Sequence, residues 1–86
     1  MVFEKGGEWC EEDSKALDLE MLREELVAEL QAINMYQEHV EMLDDGEAKD
    51  VIARHVSEEK EHVAALVKLI LRLDPDQAQK FDKMGL

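Results

Sequence analysis

These 86 residues predict an all-α chain: an antiparallel two-helix hairpin with a short third helix at its C-terminal end, dimerising into a four-helix bundle. Three observations carry that expectation. Two long segments repeat apolar residues at alternating spacings of four and three, and no segment shows the period of two that marks a strand. The tetrapeptide DDGE, residues 44–47, separates them as a short turn. Each long segment offers one strong apolar seam, which a lone hairpin leaves partly wet, so a second hairpin is the simplest cover for both.

The elements follow in chain order. Residues 1–16, MVFEKGGEWCEEDSKA, have no period and carry two glycines and five acids, and are expected to form a flexible lead-in to a single domain at 17–86. Trp9 within them offers an anchor onto a partner surface. Asp18 is placed to cap the first helix, with Leu17 and Leu22 as a hydrophobic staple. That helix runs to about Leu43 on the seam Leu22, Leu26, Glu29, Ile33, Tyr36, Val40. A second helix runs from about Glu47 to Leu73 on the seam Ile52, Val56, Glu59, Val63, Leu66, Ile70, Leu73. Asp74-Pro75-Asp76-Gln77 stops it and starts a third: Asp74 caps, Pro75 takes the first helical position, and Gln77 closes a capping box. The third helix ends near Met84, with Gly85 after it.

Composition narrows the function. Twenty-two acidic residues against ten basic ones leave a net charge of −12. Such a chain lacks the basic footprint that nucleic acid or an anionic membrane surface demands, and it attracts cations instead. No apolar run approaches the ~20 residues that span a bilayer, and no signal-peptide pattern opens the chain. The lone Cys10 excludes an internal disulfide and suits a reducing cytosol. It has no histidine or second cysteine near it in sequence, which argues against a catalytic thiol. A cytoplasmic location is the expectation.

Each seam contains one ionised residue among apolar and aromatic ones, Glu29 in the first and Glu59 in the second. Burying a bare carboxylate costs several kcal/mol, so each needs a proton, a cationic partner or a metal. Measured from Asp45 at the turn, Glu29, Glu59 and His62 lie about 24, 21 and 25 Å along their helices. All three therefore stand at nearly one height and face inward, and His62 leaves the same face as Glu59 one turn on. One carboxylate from one helix and Glu-x-x-His from its neighbour make half the ligand set of a carboxylate-bridged di-iron bundle. A twofold partner would supply the other half. Oxygen-rich donors with one imidazole per metal suit iron or manganese, two ions per dimer, whereas a closed zinc site would use thiolates that are absent here.

The stretches ELVAELQAINMYQEHV and SEEKEHVAALVKLILRLDP resemble the encapsulated ferritins, short ferritin-like proteins carried inside encapsulin nanocompartments. The resemblance covers about residues 19–76 and rests on Glu29, Tyr36, Glu59 and His62 at that family's spacing. It implies a ferritin-like bundle, a ferroxidase centre completed on the homodimer axis, and assembly of dimers into a decameric ring. It implies that Glu29, Glu59 and His62 hold iron and act in catalysis, with Tyr36 beside the site. It also implies an encapsulin shell as partner and container for iron storage. Two places depart from the pattern. Ala28 and Gln31 stand where relatives can carry extra acids that receive iron, and the end KFDKMGL shows no clear shell-addressing extension. Some relatives are fused to the shell protein, so the chain is also readable as an excised domain.

Other residues keep two readings. Tyr36 is either core packing or a group whose hydroxyl orients a ligand carboxylate. His55, one turn before Glu59, either reaches towards the site or belongs to an interface or solvent. His39, flanked by Glu38 and Glu41, reads as solvated. Two rivals to the ferroxidase remain: a rubrerythrin-like di-iron peroxidase or electron-transfer protein, which would carry a cysteine-rich module and a second Glu-x-x-His, and a non-enzymatic helical oligomerisation module whose acids are merely solvated.

Overall fold

The computed structural model describes residues 11–86 and consists of three helices: α1 (Glu11–Met42), α2 (Gly46–Leu73) and α3 (Pro75–Lys83). No strand occurs among the described residues. The predicted all-α hairpin with a short C-terminal helix is therefore the fold. Trp9 and Cys10 lie outside the described residues. The first helix begins earlier than its predicted cap, and Asp18 lies inside α1. Nothing from Glu11 to Leu17 breaks a helix, Ala16 and Lys15 favour one, and acids in a first turn suit the positive end of the helix dipole. A capping residue marks a start only where the chain upstream leaves the helix.

Two polar locks set how the helices meet. At the turn, Asp45 caps α2 by accepting a hydrogen bond from the Ala48 N–H at 2.9 Å. The Lys49 Nζ donates back across the turn to the Val40 carbonyl at 2.9 Å, satisfying one of the acceptors left over at the end of α1. At the far end Asp74 joins all three helices. Its N–H donates to the Ile70 carbonyl (2.8 Å), one carboxylate oxygen accepts from the Gln77 N–H (3.2 Å), and the other accepts from Arg23 of α1 at 2.7 Å. The predicted capping box is thus half made: the Asp74 N–H that the Gln77 side chain would take is already spent on closing α2. Gly85, at φ 79°, lets the Leu86 N–H reach back to the Phe81 carbonyl at 2.9 Å and ends α3.

The seams pack as their spacing requires. Every seam residue of both helices is buried or half-buried, yet among them only Val56 and Ile70 are buried and the rest stay half-exposed. The molecule measures 55 × 36 × 14 Å, and the smallest extent is close to the diameter of one helix. The fold is one layer thick. A chain that is 45% hydrophobic has nowhere within such a layer to finish a core, and Met21, Val27, Leu30 and Met35 stand exposed on α1.

Losing a cap alone costs about 1 kcal/mol. Asp45→Ala should therefore destabilise by about 1 kcal/mol. Asp74→Ala, which also loses the Arg23 pair, should cost more, about 1–2 kcal/mol. Urea unfolding of the two variants beside the parent chain checks the order.

Candidate metal centre

α1 contributes Glu29 and α2 contributes Glu59 and His62, and the register set by the two locks brings them level. Their nearest donor atoms all lie within 4.8 Å of one another, and no other such group of histidine, cysteine or acidic side chains occurs among the described residues. His62 Nδ1 stands 3.4 Å from Glu29 Oε2 and 3.4 Å from Glu59 Oε1. The two carboxylates are largely covered, with 17% and 19% of their side chains exposed, while His62 is 58% exposed. The site is closed on the hairpin side and open on the other.

The electrostatics leave the group short of positive charge. Glu29 Oε2 is buried with no hydrogen-bond partner. Arg23, the nearest arginine in sequence, is committed to Asp74, and among the described residues no lysine or arginine pairs with Glu29 or Glu59. Glu59 is held above its ordinary value of 4.5, chiefly by a side-chain hydrogen bond to Glu29, then by partial burial and the Glu29 and Glu58 charges; His62 opposes the rise. A shared proton is one remedy for two facing carboxylates, and a cation is the other. Two oxygens and one imidazole nitrogen around an uncovered opening fit a divalent metal of the iron or manganese kind, with positions left free for further ligands.

The other candidates separate. Tyr36 is half-buried, and its ring lies 5.7 Å from that of His55 and 6.4 Å from that of His39. His55 therefore meets Tyr36 and stands outside the three-residue group. His39, read from its neighbours as solvated, is exposed but also belongs to this aromatic contact; its position three residues after Tyr36 was the signal for that. Ala28 and Gln31 are exposed beside Glu29, and neither brings a carboxylate to the group.

The raised Glu59 fixes a sign for the metal-free chain. A carboxyl group whose folded value is raised favours the fold in acid, and that contribution disappears as pH climbs through the folded value. Glu59→Gln should accordingly raise the melting temperature of the metal-free protein at neutral pH and lose the rise in acid. Calorimetry across pH 3–8 in chelator reads both effects.

Comparison with known proteins agrees with this geometry. The EncFtn-like family model matches residues 8–85. The encapsulin nanocompartment cargo protein EncC of Myxococcus xanthus is 42% identical over 67 residues, covering 74% of this chain and 52% of that protein. The ferritin-like-encapsulin shell fusion protein of Pyrococcus furiosus is 37% identical over 59 residues, covering 69% of this chain and 17% of the fusion. The chain thus spans about half the length of the first relative and a small part of the second. The crystal structure of the encapsulated ferritin domain from Pyrococcus furiosus superposes with a TM-score of 0.78 at 28% identity, covering 95% of this chain and 80% of that one. That of protein ne0167 from Nitrosomonas europaea gives 0.76 at 32% identity, covering 95% and 87%. A single-layer hairpin carrying Glu29, Glu59 and His62 at one level, matched along nearly its whole length, belongs to the EncFtn-like, or encapsulated ferritin, family.

Proposed function

We propose that the chain is a ferroxidase that oxidises Fe(II) with dioxygen at a two-iron centre formed across a homodimer axis. The observation that carries the reading is the half-set itself: three donors gathered at one height, two of them largely covered, on a plate one helix thick. A twofold copy laid over the open side supplies four carboxylates and two imidazoles, enough for two metals, and covers the seams at the same time. Ferritin-like di-metal bundles build such sites from four helices, and each protomer here has only two long ones.

In this reading Glu59 from both protomers bridges the two Fe(II) substrates, and Glu29 and His62 hold one each from either side. Dioxygen takes electrons from both ions, and the Fe(III) product leaves for mineral. The chain's own contribution is to fix ligand spacing and to leave positions open for dioxygen. Manganese fits the same donors. The resemblance to the encapsulated ferritins extends the assembly to a decameric ring. Relatives named as encapsulin cargo and as a fusion with an encapsulin shell support a shell as partner, with the mineral held inside that nanocompartment in the cytoplasm. A dimer or ring of these plates encloses no mineral core of its own, which is why a container is needed. No described helix is long and apolar enough to cross a membrane.

Glu29→Ala and His62→Ala should each abolish rapid oxidation of added Fe(II), followed by absorbance of the Fe(III) product; parent-like rates in both would sink the assignment. Native mass spectrometry should count two metals per dimer for the parent chain and none for the variants. Co(II), which resists oxidation, should stabilise the parent by about 2–3 kcal/mol at roughly a hundredfold excess over its Kd. A helical module with solvated acids would show no such gain.

A further inference from the structure

Oxidising iron makes acid. Four Fe(II), one dioxygen and six waters give four FeO(OH) and eight protons: each iron loses one electron, dioxygen takes four, and two protons per iron must leave. A centre covered by a second protomer is withdrawn from bulk water, so those protons need carriers of their own.

The seams offer almost none. On the side of the centre away from the turn, Leu22, Leu26, Val63 and Leu66 have no exchangeable proton. Towards the turn, Ile33, Val40, Ile52 and Val56 are equally inert, and Tyr36 is the one seam residue there with a proton to pass. It does not stand alone. His55, one turn before Glu59 on α2, lies 5.7 Å from it between ring centres. His39, three residues on from Tyr36 along α1, lies 6.4 Å away. Both contacts are tilted by 59°, so the rings are not stacked face to face. His39 then lines an open cleft at the turn together with Asp45 and Glu47.

We infer that His55, Tyr36 and His39 form a proton path from the iron centre to the turn-end cleft. It rests on the ferroxidase reading. An imidazole accepts a proton at one nitrogen and releases one from the other near neutral pH, and a phenol hydroxyl both donates and accepts. Water between the groups would complete each step, and His55 is one helical turn from Glu59 in α2. His55 has Tyr36 opposite it on α1 and Glu59 and Glu58 following on its own helix, while His39 meets Tyr36 on α1 and lines the cleft with Asp45 and Glu47. α3 packs at the opposite end, against Arg23, Leu26 and Ile70, and adds no group to the path. His39 is about 15 Å along α1 from Glu29, too far to act as a metal ligand there.

That distance makes His39→Gln the decisive variant, with Tyr36→Phe beside it. Both should bind Co(II) with the parent stoichiometry. In weakly buffered solution both should oxidise Fe(II) and release protons to an indicator dye at least about tenfold more slowly, the scale of a lost general acid–base group. Millimolar imidazole should restore the His39→Gln rate. In the metal-free protein, Tyr36→Phe should shift the ring nitrogen resonances of both His39 and His55, a readout independent of turnover. Parent-like oxidation and proton release by His39→Gln overturn the path while leaving the ferroxidase intact, as does an absence of imidazole rescue. A parent chain that binds metal without oxidising iron overturns both.

Discussion

Two carboxylates facing each other in a half-covered seam cannot both stay charged and unaccompanied, and the molecule is arranged around that constraint. Glu29 and Glu59 occupy positions where the helical period calls for an apolar side chain, and a pair of leucines there would pack better. Among the described residues, the only cationic candidate brought to them is His62, and one neutralisable imidazole does not balance two acids. A hydrogen bond from a protonated Glu59 to Glu29 is one relief, and it raises the Glu59 carboxyl above its ordinary value. A divalent cation relieves it better, because it can satisfy the buried Oε2 of Glu29 as well.

The site depends on register more than on local structure. Sliding one helix past the other by a single turn moves Glu29 about 5 Å off the level of Glu59 and His62 and scatters the donors. The ends of the hairpin prevent this. Lys49 and Asp45 tie the turn, and Asp74 ties the far end by capping α3, closing α2 and holding Arg23 of α1. The same salt bridge removes Arg23 from competition for Glu29. An ion pair of modest energetic worth thus has two structural consequences for a site several turns away.

Thinness couples assembly to chemistry. A plate one helix thick with only two buried side chains among the described residues is incomplete as a core, and three donors are incomplete as a two-metal site. One twofold partner would repair both on the same face, so metal binding and association would reinforce each other by mass action. His62, more than half exposed in the single protomer, is the donor best placed to lie at that junction.

Much of this was legible in sequence because it is one-dimensional. The alternation of four and three fixes which faces are buried, and the count of residues from the turn fixes height, since helix rise is constant; together they place Glu29, Glu59 and His62 at one level without any knowledge of packing. Asp45, Asp74 and Pro75 mark boundaries through local backbone chemistry, and the structure keeps those boundaries within a residue. The start of α1 was not legible, because Asp18 has the chemistry of a cap whether or not the chain upstream is helical. Nor was the partnership of Arg23 with Asp74, which are far apart in the chain and meet only once the hairpin has closed. The division between His62, which joins the carboxylates, and His55, which turns instead to Tyr36, is likewise tertiary: both histidines lie on one side of α2, and only what α1 presents opposite each of them decides which becomes a candidate ligand.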